Sequence, residues 1–344
     1  MRGSWRAERE QLELFRALPG DLAPRDAQDL MAYPFFSLAK SRRVVPIDFR
    51  AGTITIRVEA VPEHGMATIW DADVLIWAAS QIVEARDAGL RTSRLMAATP
   101  HEILTFVGRG TGARDYDRLK AGLDRLQATT VLTSIRQLTE RRRHRFSWIN
   151  EWRETADAHG KPSGLQLILP DWFYSGVLDN ALVLTIDRAY FDLRGGLERW
   201  LYRLVRKHGG RQQGGWSFDV AHLHAKSGSL SPLKHFAYDL RDIVRRQTLP
   251  GYRLAIEPGL RDRERLSFAP VPEDPFAARL RKRGISTASG ENLSISSCYR
   301  GPEPSCYRGP DPRAIGDRNR SKPMAAQLLG WPLTLLTRNP SDSF

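Results

Sequence analysis

One order of predicted elements occurs twice along this chain, and it limits the folds that the chain can adopt. In each half, a long helix precedes a short capped helix, a glycine turn, a further amphipathic helix and then two strands. A helix-turn-helix unit followed by a β-hairpin is the order of a winged helix. The sequence therefore predicts an α+β protein with two winged-helix domains in tandem, although the halves share little sequence identity.

Local signals mark the helices of the first half. Asp71 is expected to cap the helix that follows it. Residues 99–102, TPHE, predict a capping box with proline at the first helical position, and the glycines of 108–112 end that short helix. A third helix is predicted at 114–127. The strand-like runs of this half are 46–49, 53–61, 129–138 and 146–152.

The second half begins with the segment 195–209, GGLERWLYRLVRKHG. Its apolar residues recur at helical spacing, so we predict an amphipathic helix whose basic residues lie largely on the solvent face. In 216–228, a short strand leads to Asp219, the expected cap of a short helix that ends at Gly228. The basic residues of the first helix are Arg199, Arg203, Arg206 and Lys207.

A further helix of this half follows the turn. Ser231 is its predicted cap and Pro232 its first helical residue, and Leu233 is expected among its buried residues. Two strands around a basic turn are predicted within 252–271.

The composition changes beyond residue 270, where large apolar residues are sparse until the last fifteen positions. This part contains the tandem repeat SCYRGPEP, 297–304, and SCYRGPDP, 305–312. The predicted segments are a flexible N-terminal arm at 1–33, a first winged-helix domain at 34–155, a second at 156–275, and a disordered basic tail at 276–344.

The charge of the chain favours an anionic partner. Lys and Arg number 52 against 39 Asp and Glu, a formal net charge of +13. No apolar run approaches the roughly 20 residues of a spanning helix, so we expect a cytoplasmic protein without a membrane partner. The two cysteines, Cys298 and Cys306, cannot supply a disulfide framework or a four-thiolate zinc site. We expect no cofactor and no metal.

Basic side chains in both halves, with two serines and a tyrosine, are the candidate contacts to double-stranded DNA. Those at 234, 238, 241 and 245 are spaced by four, three and four, which aligns them along one helix face. The arginine-rich segment 141–145 reads as a wing tip that contacts phosphates. A solvated helix face and a solubilising turn are the alternatives. The candidates are Arg114, Arg118, Arg125, Arg141, Arg142, Arg143, Arg145, Lys226, Ser229, Ser231, Lys234, Tyr238, Arg241 and Arg245.

His222 and His224 could hold a divalent metal if they lay on a strand, where both imidazoles would face one side. This arrangement occurs in enzymes that nick DNA to start rolling-circle replication. On a helix the two side chains point about 200° apart, and the residues around them favour a helix. We therefore assign no catalytic residue, and signatures of nucleotide-binding loops and hydrolases are missing from the sequence.

Several longer segments of the sequence resemble the replication initiator protein A family of bacterial plasmids. They are YPFFSLAKSRR, IDFR, GMATIWDADVLIWAASQI, LTIDRAYFDLRGGLERWLYRLVRKHGG and HLHAKSGSLSPLKHFAYDLRDIVRRQ, and the resemblance spans residues 33–271.

The resemblance implies an initiator of two winged helices that binds direct repeats at a plasmid origin. It implies melting of an adjacent A·T-rich region, recruitment of the host initiator and the replicative helicase, and repression of its own gene by a dimer that exchanges with monomer. The second domain would make the main base contacts, while the first combines dimerisation with DNA contact. A winged-helix transcriptional repressor is the nearest alternative, and a nicking enzyme is the alternative from another class.

Overall fold

A computed structural model describes residues 12–137, 144–160, 162–209, 215–259 and 263–271. The predicted tail at 276–344, with its tandem repeat, lies outside the described residues, as do the wing-tip arginines at 141–143. The described residues belong to one unit of the structure.

The described part of the chain confirms the mixed α+β class, with eight α-helices and thirteen β-strands. The helices are α1 (Gln28–Ala32), α2 (Ala72–Asp87), α3 (Pro100–Phe106), α4 (Ala113–Ala128), α5 (Asp171–Leu178), α6 (Gly196–Gly209), α7 (Val220–Ser227) and α8 (Leu233–Arg246). The strands are β1 (Leu14–Arg16), β2 (Arg25–Ala27), β3 (Ile47–Ala51), β4 (Ile54–Ala60), β5 (Leu95–Ala98), β6 (Thr129–Thr133), β7 (His144–Ser147), β8 (Glu151–Ala156), β9 (Pro162–Ile168), β10 (Val183–Thr185), β11 (Trp216–Asp219), β12 (Tyr252–Pro258) and β13 (Glu264–Pro270).

The first half is built from α2, α3 and α4 beside an antiparallel sheet of order β3-β4-β6-β7. The predicted capping box of α3 is confirmed, because the Glu102 amide donates to Thr99 Oγ1 at 3.2 Å and the Thr99 amide donates to Glu102 Oε2 at 2.6 Å. Gly108, at φ 67°, follows the end of that helix, as the glycine-rich segment predicts.

Asp71 does not cap α2, so that prediction is wrong. Its backbone is itself helical, and its carboxylate accepts hydrogen bonds from Thr68 and a bidentate pair from Arg125. A bidentate guanidinium–carboxylate pair has charge on both partners and fixes the geometry of both side chains. Asp71 therefore joins the start of α2 to α4.

The single strand predicted at 146–152 is divided between two sheets. β7 pairs with β6, whereas β8 pairs with β9 in a sheet of order β1-β5-β9-β8. Between them Trp148 and Ile149 are both fully buried, which alternation along one strand does not allow. The predicted domain boundary at 155/156 falls at the end of β8, and the division of the chain into domains stays a prediction.

The N-terminal segment is not loose over residues 14–32, in contrast to the predicted arm. β1 pairs in parallel with β5, and β2 pairs with β10 of the second half. Leu30 and Met31 of α1 are buried in the core. The sequence of this segment is too polar for its helical periodicity to indicate such burial.

The second half places α6, α7 and α8 against an antiparallel sheet of order β11-β13-β12. α7 ends at Gly228 in the left-handed conformation, φ 63°, as predicted. The start of α8 is shifted: Pro232 takes the cap position instead of Ser231, and Leu233 is 44% exposed instead of buried. α5 has no counterpart among the predicted elements.

Candidate nucleic-acid interface

One face of α8 is exposed and largely basic, as its helical phase predicts. Phe236, Ala237, Leu240 and Ile243 hold the opposite face on the domain. Tyr238 is 69% exposed. The exposed face, here called the α8 stripe, consists of Lys234, Tyr238, Arg241 and Arg245.

Ion pairs engage the two arginines of the α8 stripe. Arg241 donates from Nε and Nη2 to the two carboxylate oxygens of Glu264 on β13, at 3.0 and 2.7 Å. Arg245 pairs with Asp242 one turn earlier at 2.5 Å. Because such exposed pairs contribute little free energy, a phosphate or a base edge can replace the carboxylate. Within the described residues, Lys234 and Tyr238 make no hydrogen bond or ion pair.

The serines between α7 and α8 shape the turn. The Ser229 amide donates to Ser227 Oγ, and Ser229 Oγ accepts from the Ser231 amide, both at 3.1 Å. His224 Nε2 donates to the Ser231 carbonyl at 2.7 Å. These bonds fix the connection between the two helices, so the structure gives Ser229 a local structural contact besides its predicted contact to DNA.

Lys226 lies apart from the α8 stripe, near the end of α7. Its ammonium is 4.6 Å from the centroid of the Tyr33 ring, and the side chain is half-buried. Burial, with the nearby charge of Lys207, lowers the pKa of Lys226 to about 8.

The candidate arginines of the first half differ in how exposed they are and in whether an acidic side chain already pairs with them. Arg114 is exposed on α4, and Arg118 is exposed but pairs with Asp115 at 3.2 Å. Arg125 was predicted on the polar face, yet it is partly buried and both its bonds go to Asp71. Arg145 on β7 is exposed and lies 3.4 Å from Glu59. Arg141, Arg142 and Arg143 lie outside the described residues.

Two arginines predicted on the solvent face of α6 are instead buried. Arg199 donates to both oxygens of Asp73 at 2.8 and 2.9 Å, and Arg203 donates to both oxygens of Asp26 at 2.6 and 2.9 Å. All four side chains are buried, so the charge of these arginines is matched inside the fold. They cannot contribute to a surface that attracts DNA.

His222 and His224 lie on α7, which confirms their helical placement. His222 stacks on Phe218 with the ring centroids 5.7 Å apart, while His224 is bonded to the turn. In the part of the chain that the structure describes, no three potential ligands from His, Cys, Asp or Glu come close enough to hold a metal ion. None of the described helices is long and apolar enough to cross a membrane.

The fold is similar to that of domains 2 and 3 of RctB, seen in a crystal structure. The TM-score is 0.52 at 16% sequence identity, and the alignment covers 69% of this chain and 95% of that one. The chain is also 29% identical over 228 residues to a putative replication protein of Wigglesworthia glossinidia brevipalpis, covering 65% of this chain and 82% of the relative. The family model of replication initiator protein A matches residues 25–254, more than half of the chain. The chain therefore belongs to the replication initiator protein A family, which confirms the resemblance found in its sequence.

Proposed function

We propose that the protein initiates plasmid replication by binding direct repeats at an origin through two tandem winged helices. The exposed α8 stripe carries this proposal. It presents two arginines, a lysine and a tyrosine from a helix whose opposite face is buried in the domain. An α-helix with this distribution fits the major groove, where such side chains reach base edges and phosphates.

The order of elements supports two winged helices. In the second half α7, the turn at Gly228 and α8 form the helix-turn-helix, and the β12–β13 hairpin is the wing. In the first half α3 and α4 precede the β6–β7 hairpin. In the sequence, residues 141–143 lie between these two strands and Arg145 lies on β7, so we assign the arginines of 141–145 to phosphate contacts beside the groove.

The proposed mechanism uses binding energy and no covalent chemistry. Contacts to successive repeats would bend the DNA and favour melting of an adjacent A·T-rich region. Family membership supports recruitment of the host initiator and the replicative helicase, and repression of the protein's own gene by its dimer. Supercoiled origin plasmid is expected to yield no nicked circles with the protein and Mg²⁺. Nicking that His222→Ala abolishes would contradict a role without catalysis.

Substitutions in the α8 stripe test the proposed docking. Arg241→Ala should weaken binding to an origin repeat by about 1–3 kcal/mol and relax the preference for one base, because a bidentate base contact is lost. Fluorescence anisotropy with single-base variants of the repeat measures both effects. The control is Arg153→Ala, which removes an exposed arginine on β8 that bonds to Gln166 and lies outside the proposed interface.

A second variant separates base reading from a structural role of the same ion pair. Glu264→Gln removes the carboxylate that holds Arg241 and should leave binding unchanged or tighter, because it also removes a negative charge beside the DNA. If Glu264→Gln weakened binding as much as Arg241→Ala, the pair would serve the fold and α8 would not be the reading helix.

A further inference from the structure

Two lysines approach one tyrosine ring, from the last turns of α6 and α7. The ammonium of Lys226 is 4.6 Å and that of Lys207 is 5.7 Å from the centroid of the Tyr33 ring. Both side chains are half-buried. Two cations therefore lie near the same ring and are partly removed from water.

The pair has little compensating charge. Among the described residues, neither ammonium donates a hydrogen bond or forms an ion pair. Asp29 is the carboxylate whose charge acts on Lys207, but it already pairs with Arg136 at 3.1 Å. The ring of Tyr33 and the carbonyl ends of the two helices offset part of the cost of burial. A half-buried like-charge pair without a carboxylate partner is typical of a site for an anion.

The protonation of the pair agrees with this reading. Burial and the charge of Lys207 lower the pKa of Lys226 to about 8, and burial lowers the pKa of Lys207. The charge of Lys207 therefore destabilises the charged form of Lys226 in the free protein, while Asp29 partly offsets the effect of burial on Lys207. A bound anion would remove that repulsion, so its binding would favour the charged forms of both lysines.

The pair lies where the two halves meet, beside the turn of the second helix-turn-helix. A Cβ at Gly228 would come within 2.9 Å of Pro34 Cβ, which places the end of α7 directly against the segment that carries Tyr33. Phe49 of β3 is also close, with its ring centroid 5.8 Å from the Lys226 ammonium. In helix-turn-helix docking, the first helix of the unit crosses the DNA backbone while the second enters the groove. α7 is that first helix.

We propose that Lys207 and Lys226 form one phosphate-binding site and that its ligand is a backbone phosphate of the DNA bound by α8. The assignment of DNA as the source rests on the proposed function. Two ammonium groups would bind a DNA phosphate and inorganic phosphate through the same charge-assisted contacts, so inorganic phosphate is the other candidate ligand. Lys207 thereby becomes a DNA contact that α6 contributes, although α6 lies outside the helix-turn-helix.

Substitution of each lysine by glutamine tests the shared site. Lys207→Gln and Lys226→Gln should each weaken binding to an origin repeat about tenfold, as expected for a lost charge-assisted contact. Because both ammoniums serve one phosphate, the double variant should lose less than the product of the two effects and lower the salt dependence by about 0.9. The matched control is Lys40→Gln, which removes a lysine 5.4 Å from the Trp70 ring centroid in the first half and should change neither quantity.

Amine acetylation followed by peptide mass spectrometry identifies the source of the phosphate. Lys207 and Lys226 should be acetylated in the free protein and protected by an origin duplex. Protection by millimolar inorganic phosphate, with both lysines still labelled in the duplex complex, would keep the phosphate site and overturn the DNA assignment. Labelling that neither ligand changes would overturn the site itself.

The outcomes distinguish this site from the proposed function. If the full chain did not bind origin duplex, the proposed function would fail, while the inorganic phosphate arm would still test the site. Urea unfolding provides the control for a structural role: the glutamine variants should be as stable as the parent or more so, because they relieve the repulsion. A marked loss of stability, or fully additive losses of DNA affinity, would contradict a shared phosphate site.

Discussion

At the scale of single residues, buried ion pairs join distant parts of the chain. Asp26 and Arg203 are both about 1% exposed and form two hydrogen bonds between the N-terminal segment and α6. Asp73 on α2 and Arg199 on α6 form a second buried pair. Loss of one partner leaves a charge in a medium that solvates it poorly, which costs far more than the pair itself contributes.

Arg203→Met should lower the free energy of unfolding by about 3–5 kcal/mol, because the Asp26 carboxylate stays buried without a partner. Adding Asp26→Asn should recover a large part of that loss. Arg118→Met provides the matched control, since its pair with Asp115 is exposed and should contribute less than about 1 kcal/mol. Urea denaturation followed by circular dichroism measures all three. A loss for Arg203→Met no larger than that for the control would show that the buried pair does not stabilise the fold.

The burial of these arginines does not follow from local sequence. Arg199 and Arg203 occur at helical spacing in an amphipathic segment, as do Arg241 and Arg245, and both pairs therefore read as solvent-facing. Each of the buried arginines has a carboxylate partner that is remote in the sequence. The partner of Arg203 lies 177 residues away in the chain, and that of Arg199 lies 126 residues away. Local periodicity contains no information on such a partner, whereas the exposure of the α8 stripe followed from it correctly.

At the scale of elements, the sequence predicted the caps, turns and strands that depend on interactions between neighbouring residues. The capping box at Thr99, the glycine end of α7 and the two strands of the β12–β13 hairpin are all present, as predicted. α5 was not predicted, because aromatic residues such as Trp172, Phe173 and Tyr174 have a high propensity for strands. Packing of Trp172 and Phe173 into the core stabilises the helix instead. The division of 146–152 between two sheets likewise depends on packing.

Substitution of Gly228 tests the turn between α7 and α8. Gly228→Ala should lose more than the roughly 1–2 kcal/mol of a left-handed alanine, because its Cβ would also meet Pro34. Gly52→Ala is the control, since Gly52 has φ 58° and nothing lies within 4 Å of the added Cβ. Urea unfolding of both variants isolates the packing contribution as the difference. Equal losses would mean that the end of α7 is not held against the first half.

At the scale of the whole molecule, the two halves form a joined structure. The buried Arg43 donates to the Gly228 carbonyl at 2.6 Å and to the carbonyls of Val45 and Pro46 at 2.8 and 3.2 Å. Arg43 therefore connects the turn between α7 and α8 to the segment that precedes β3. β2 and β10 join the halves a second time. Within the described residues, the α8 stripe is therefore held in a fixed relation to the first half.

The spacing of the binding sites on the DNA is the most direct test of the proposed origin initiator. DNase I protection on the origin region of the parent plasmid should show several adjacent repeats, spaced so that successive sites face the same side of the helix. The protein should protect them at the concentrations at which the Arg241→Ala variant fails to do so. Protection of only one or two isolated operators would contradict the account and identify a transcriptional repressor of the same structural class.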